Sequence, residues 1–266
     1  GVCMSEFSIM GILPEVAHSL SVSIPDAGHF ISAYALGVCV GAPLTVLVAR
    51  SRPLRSILLA LMLVFIAGNT LTALAPNASM MLAARFIAGM PHGAYFGVAS
   101  IVADKLAGRA FSVLAVSIVV SGATIANLVG VPGATLVTQI LSWRVAYGIV
   151  AGVGLLVIIG VRAWVPQLPG LKDTGFRGQF RFLKFPAPWL IFLAIVLGNG
   201  GMFCWYSYIS PFMGKVAGID SVHMTLVMAL AGLGMVLGNA LSGRLSIRFP
   251  PTGIAEGMLA VMGTAL

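Results

Sequence analysis

The chain has 266 residues, 59% of them hydrophobic and 8% charged, with a formal net charge of +8. A soluble domain carries about 25% charged residues, so this chain could not cover a soluble surface. The positive charge does not mark a nucleic-acid partner either, because no basic stripe is interleaved with aromatic residues.

The charge-free runs 27–49, 111–142, 185–214 and 221–243 each reach the roughly 20 apolar residues that cross a bilayer. They predict an all-α polytopic membrane protein, since a barrel would show short alternating segments. In chain order, helix 1 covers Gly1 to about Val16 and helix 2 about Gly28 to Ala49. Helix 3 covers Ser56 to Ala75, with Pro76 and Asn77 as the turn. Helix 4 runs from about Ser79 to Ala103, and helix 5 from Phe111 to Leu141 with a kink at Pro132. Helix 6 runs from Trp143 to Val165, followed by a polar segment to Pro188. Helix 7 runs from Trp189 to Met213, helix 8 from Val222 to Arg244, and helix 9 starts after Pro250 and Pro251. The chain opens and stops inside apolar segments, so a piece of a longer protein is expected.

Cytoplasmic loops concentrate Lys and Arg. Arg50, Arg52 and Arg55 lie in the 2–3 loop, Lys105 and Arg109 in the 4–5 loop, and Arg244 and Arg248 in the 8–9 loop. Arg162, Lys172, Arg177, Arg181 and Lys184 lie at the 6–7 connection, whereas the opposite loops hold only Arg144 and Lys215. The missing N-terminus and the 6–7 linker are therefore expected in the cytoplasm, in a bacterial inner membrane.

Four Gly and Pro pairs share one offset of 197 residues: Pro14/Pro211, Gly37/Gly234, Gly41/Gly238 and Pro53/Pro250. The offset maps helices 1 and 2 onto 7 and 8, the signature of parallel repeats in secondary transporters. The expected domains are a six-helix bundle at 1–165, a linker at 166–188, and the start of a second bundle at 189–266.

Two six-helix halves resemble the major facilitator superfamily. Residues 122–133, with Gly122, Asn127, Gly130, Pro132 and Gly133, are similar to the fifth-helix motif of its proton-coupled exporters. Arg85, Gly89, His92 and Gly93 resemble the fourth-helix Arg motif. The stretches 5–15, 187–192 and 232–244, the last with Gly238, Gly243 and Arg244, resemble AraJ-type arabinose efflux proteins among the drug/proton antiporter-like exporters. The family pattern after helix 2 is Gly-x-x-x-Asp-Arg-x-Gly-Arg. Here Gly41 is followed by Arg50, Arg52 and Arg55 without the Asp, which puts the usual charge relay in doubt.

Ionisable groups inside a bilayer are expensive and so are functional candidates. Glu6 lies roughly 13 Å from the outer end of helix 1 and Arg85 roughly 9 Å from that of helix 4, at 1.5 Å per residue. If both helices face one cavity, as the resemblance implies, the two could interact directly or through water. Burial would favour the neutral acid and Arg85 the carboxylate, the balance a proton carrier needs. Alternatively Glu6 is a structural partner for the arginine. Glu6 has no counterpart in helix 7, where Phe203 stands at the mapped position. His92, two turns past Arg85, reads as a proton relay or as a packed histidine. Asn127 reads as a path residue or as interhelical glue. Tyr34, Asn199 and Trp205 are further substrate-path candidates, and Tyr206 and Tyr208 suit an interfacial belt.

Cys3, Cys39 and Cys204 fall in apolar segments without metal-ligand spacing. No phosphate-binding loop or catalytic set occurs, so no cofactor, metal or enzymatic activity is expected. The resulting reading is a monomeric secondary transporter for a small solute, sugar or drug-like, exported against protons by alternating access. A facilitator or importer of the same fold, or a non-transporting sensor, is the alternative.

Overall fold

A computed structural model describes residues 1–48, 52–170, 181–245 and 248–265. Arg50, Lys172 and Arg177 lie outside the described residues. Helix 1 is two pieces, α1 (Val2–Gly11) and α2 (Leu13–Ser19), rather than one. The break falls at Ile12 (φ −126°, ψ 16°), next to Pro14, which lacks an N–H and whose ring displaces the carbonyl four residues earlier. There follow α3 (Ile24–Val48), α4 (Leu54–Leu74), α5 (Ala78–Gly89) and α6 (Pro91–Ile125). A π-turn at Ala126–Gly130 leads into α7 (Val131–Ile140), and α8 (Trp143–Trp164) completes the first group.

A 3-10 turn at Arg181–Lys184 precedes α9 (Pro186–Ser207), α10 (Ile209–Val216), α11 (Ser221–Leu245) and α12 (Pro251–Ala265). The break between α9 and α10 repeats the one in helix 1: Tyr208 has φ −111° and ψ 18° just before Pro211, the repeat-mate of Pro14. Seven of the described helices are long and apolar enough to cross a membrane, with Val2–Gly11 and Gly253–Thr264 as shorter apolar helices.

Two expectations shift in detail. Helix 4 runs past Ala103 to Gly108, whose φ of 69° makes the turn into helix 5. The kink expected at Pro132 is expressed one turn earlier, as the π-turn. Pro132 cannot donate to residue 128, and a wider turn absorbs the missing bond. Two helix starts are capped by side chains: Asn77 accepts from the Met80 N–H at 2.9 Å, and Ser142 from the Val145 N–H at 3.3 Å.

α4 packs between α5 and α8, and α3 lies along α5. The α3–α5 seam is closed by glycines. A Cβ on Gly37 would overlap the Phe86 carbonyl, and one on Gly89 the Tyr34 carbonyl. α11 lies against the π-turn and α7, where a Cβ on Gly232 would overlap the Asn127 carbonyl. One large apolar cluster joins Ile9, Leu13, Phe30, Trp143, Tyr206 and Met228. It therefore binds elements from both repeats. α9 is buried only at Tyr206 and Ser207.

Candidate functional site

Four elements bring their polar residues to one corner. α1 carries Cys3, Ser5 and Glu6, and the spacing of Cys3 and Glu6 puts them on one face. α3 carries Tyr34, α5 carries Arg85, and the start of α6 carries His92. The Gly37–Gly89 seam, one turn further along both helices, holds Tyr34 against the arginine.

Tyr34 is buried, and its hydroxyl lies 3.1 Å from the Val2 carbonyl and 3.0 Å from His92 Nδ1. With one proton to give, it donates to the carbonyl and accepts from Nδ1–H. Glu6 Oε2 stands 3.7 Å from the same nitrogen, and the two side chains are 24% and 12% exposed. That spacing is longer than a hydrogen bond but close enough for an ion pair once the ring is protonated. The Cys3 Sγ lies 3.9 Å from the other ring nitrogen, Nε2, and His92 stacks on Phe96 at 5.5 Å.

Arg85 is fully buried. Its Nη1 donates to the Ser5 carbonyl at 2.9 Å and reaches the Ser5 hydroxyl at 3.4 Å. That hydroxyl donates to Asn69 Oδ1 at 2.6 Å, and Asn69 Nδ2 donates to the Phe65 carbonyl at 2.8 Å. The guanidinium lies 4.4 Å from the Tyr34 ring centre and 5.5 Å from that of Tyr147. Among the described residues its Nε and Nη2 have no hydrogen-bond partner, nor does the Tyr147 hydroxyl beside it. A buried guanidinium with unfilled donors is an anion-seeking group. Glu6 and Arg85 therefore share a corner, but no ion pair joins them among the described residues; Arg85 holds Ser5, the neighbour of Glu6.

The donor atoms of Cys3, Glu6 and His92 all lie within 4.8 Å of one another. Such a set can ligate a soft divalent cation. Cys3 stands nearest Nε2 and Glu6 nearest Nδ1. The observed arrangement is a hydrogen-bonded one. A cavity of about 110 Å³ begins beside the corner, lined by Val2, Cys3, Met62, Tyr95, Phe96 and Gly122. It leads from the level of Cys3 away from the Glu15 end of helix 1.

The remaining candidates fall elsewhere. Asn127, in the π-turn, donates to the Ala123 carbonyl at 3.1 Å and leaves Oδ1 unpaired. Asn199 is exposed on α9, as is Trp205, and neither joins the corner. Phe203 stacks on Phe7 at 5.8 Å, one residue from Glu6. Gly122, Gly133 and Gly238 have nothing within 4 Å of a built Cβ, so they mark no close approach; Gly130 meets only the Met4 side chain. Pro132 is buried, while Arg52 and Arg244 are exposed at the basic-loop ends of their helices. Gly243 lies in the last turn of α11. Ser5, Asn69 and Tyr147 were not singled out by sequence reasoning; a polar residue in an apolar span was the available signal for Asn69.

The family model of the Major Facilitator Superfamily matches residues 1–266. The putative transporter AraJ of Escherichia coli (strain K12) is 46% identical over 96% of this chain, which spans 65% of that relative's length. A chloramphenicol resistance protein of Streptomyces lividans is 32% identical over 98% of this chain and 67% of its own length. Among solved structures, a bacterial homologue of the human lysosomal transporter Spinster, inward-facing and unoccupied, matches with a TM-score of 0.68 and 20% identity. That match covers 94% of this chain and 61% of that one and concerns the fold. Apolar helices, a duplicated helix break and a match along the whole length agree: the chain belongs to the Major Facilitator Superfamily.

Proposed function

We propose that the protein exports a small solute in exchange for protons by alternating access, with Glu6 as the proton carrier. The observation that carries the reading is Glu6 placed in one corner with an imidazole and a buried guanidinium. His92 faces it at 3.7 Å, and Arg85 stands in the same corner with Nε and Nη2 unfilled. Ionised Glu6, its charge balanced by Arg85 in the same corner, accepts hydrogen bonds from donor groups on the solute. Protonated Glu6 loses that charge and releases the solute. Proton and solute thus compete for one carboxylate, which is the thermodynamic requirement for exchange.

The two repeats meet through Phe7–Phe203, Phe7–Tyr206 and Thr225–Gln139 contacts toward the end opposite the basic loops, and through Asn239–Thr124 nearer the basic-loop end of α11. Similarity to a chloramphenicol resistance protein supports outward transport of a drug-like or sugar-sized solute. The whole protein, on this reading, is a monomer of two six-helix halves in a bacterial inner membrane.

The test is transport in everted vesicles containing the complete gene product. A solute that the protein exports accumulates inside them, and an ionophore that removes the pH gradient abolishes that accumulation. Accumulation that survives the ionophore overturns proton coupling, and equilibration without accumulation identifies a facilitator. Tyr34→Phe provides a finer check. It removes the hydroxyl that ties His92 to the Val2 carbonyl, at a cost of about 1 kcal/mol. The protein remains folded in a melting assay, while the pH dependence of transport shifts because the imidazole loses its fixed orientation.

A further inference from the structure

The two repeats build the same groove twice, and only one copy has a polar mouth. The first lies between α3 and α4 with Met90 and Pro91 at its floor, a volume of about 470 Å³. The second lies between α11 and α12, about 590 Å³. Their walls correspond residue by residue at the offset of 197: Gly41 with Gly238, Leu44 with Leu241, Ile57 with Ile254. The mouths differ. Arg52 and Ser56 in the first are replaced by Phe249 and Gly253 in the second.

We infer that the first groove binds an anionic phospholipid, its phosphate on Arg52 and Ser56 and an acyl chain along Leu44, Ile57 and Val64. Arg52 and Ser56 are both exposed, and neither has an ion-pair or hydrogen-bond partner among the described residues. The position four after Gly41, where the family pattern has Asp, is Thr45. It lines the groove and spends its hydroxyl on the Gly41 carbonyl at 2.8 Å. Among the described residues no acid lines the groove to oppose an anion, in contrast to the family pattern. The mouth sits at the basic-loop end, at headgroup depth, where a cation near the surface attracts anionic lipid. The groove is also free of the contact that the repeat predicts for α3. α11 meets helix 5 at Gly232, and Asn239 donates to Thr124 at 3.2 Å. Their mates on α3, Ala35 and Ala42, lie roughly a third of a turn from Gly41, Leu44 and Val48. A helix packed there by symmetry leaves the groove open to lipid.

The experiment places the complete gene product in nanodiscs of phosphatidylcholine with graded phosphatidylglycerol. Retained lipid is counted by native mass spectrometry, and folding is followed by melting temperature. The parent retains phosphatidylglycerol in preference to phosphatidylcholine. Arg52→Gln weakens that preference about fivefold, the effect of one basic residue near the surface. Ala60→Phe, which fills the groove and leaves Arg52 in place, removes it, and Phe249→Arg adds a second retained anionic lipid. Equal retention by the parent and Arg52→Gln overturns the inference. So does inorganic phosphate raising the melting temperature of the parent and Ala60→Phe alike, which would mark a bare anion site without a chain.

Discussion

Glu6→Gln is expected to leave a folded carrier that equilibrates its solute but no longer drives it uphill. The substitution keeps size and shape and removes only the ability to lose a proton. Its structural cost is small, because no hydrogen bond tethers the Glu6 carboxyl among the described residues and its nearest polar partner is His92 at 3.7 Å. With one proton exchanged per cycle, a pH difference of one unit sustains a solute ratio of about 10, the equivalent of 1.4 kcal/mol. In Glu6→Gln that ratio falls to one, while exchange of labelled for unlabelled solute continues. The glutamine behaves as permanently protonated Glu6: the solute keeps an amide acceptor but loses the charge, so its weaker affinity no longer varies with pH. In the parent, raising the pH ionises Glu6 and strengthens solute binding, and lowering it releases the solute. The measurement is the steady-state solute ratio in everted vesicles at fixed pH difference, together with solute affinity across pH. A parent-like ratio in Glu6→Gln removes Glu6 from the coupling step.

The positions legible in advance were those where one residue type is costly in its setting. A carboxylate, a guanidinium and an imidazole in apolar spans have few tolerable surroundings, and Glu6, Arg85 and His92 fall in one corner with Tyr34. The duplication was legible for a related reason: Pro14 and Pro211 interrupt hydrogen bonding wherever they stand, and both produce a helix break. Helix rotation was not legible where a span is apolar all round. Asn199 and Trp205 lie on α9, whose uniform hydrophobicity names no inner face, and the structure leaves both exposed. Ser5, Asn69 and Tyr147 escaped notice because their role depends on interhelical register. Asn69 donates to a carbonyl of its own helix and accepts from Ser5, 64 residues away. Glycine is ambiguous by nature. It serves backbone contact at Gly37 and Gly89 and open space at Gly122 and Gly133, and only the distance to a neighbouring backbone separates the two.

That ambiguity gives the second large effect, Gly37→Leu. α3 and α5 touch backbone to backbone at Gly37 and Gly89, with no side chain between them that could turn aside. In a bilayer such small-residue contacts hold helices together, since lipid offers no hydrophobic drive for their association. Inserting one or two methylenes into a packed core costs about 1–3 kcal/mol; four carbons against a carbonyl at a backbone seam cost more, at least about 3 kcal/mol. The seam also sets the geometry of the corner, for Tyr34 lies three residues before Gly37 and Arg85 four before Gly89. Pushing the helices apart takes the Tyr34 ring off the guanidinium, now 4.4 Å away, and its hydroxyl off His92. Gly37→Leu is therefore expected to lower the melting temperature sharply and to abolish transport in whatever fraction folds. Gly122→Ala is the contrasting case: its Cβ meets nothing within 4 Å, and replacing glycine in a helix by alanine stabilises by about 0.5–1 kcal/mol. Parent-like melting of Gly37→Leu, or a loss of stability in Gly122→Ala as large as that in Gly37→Leu, would mean that the seam does not hold α3 against α5 at the Tyr34–Arg85 corner.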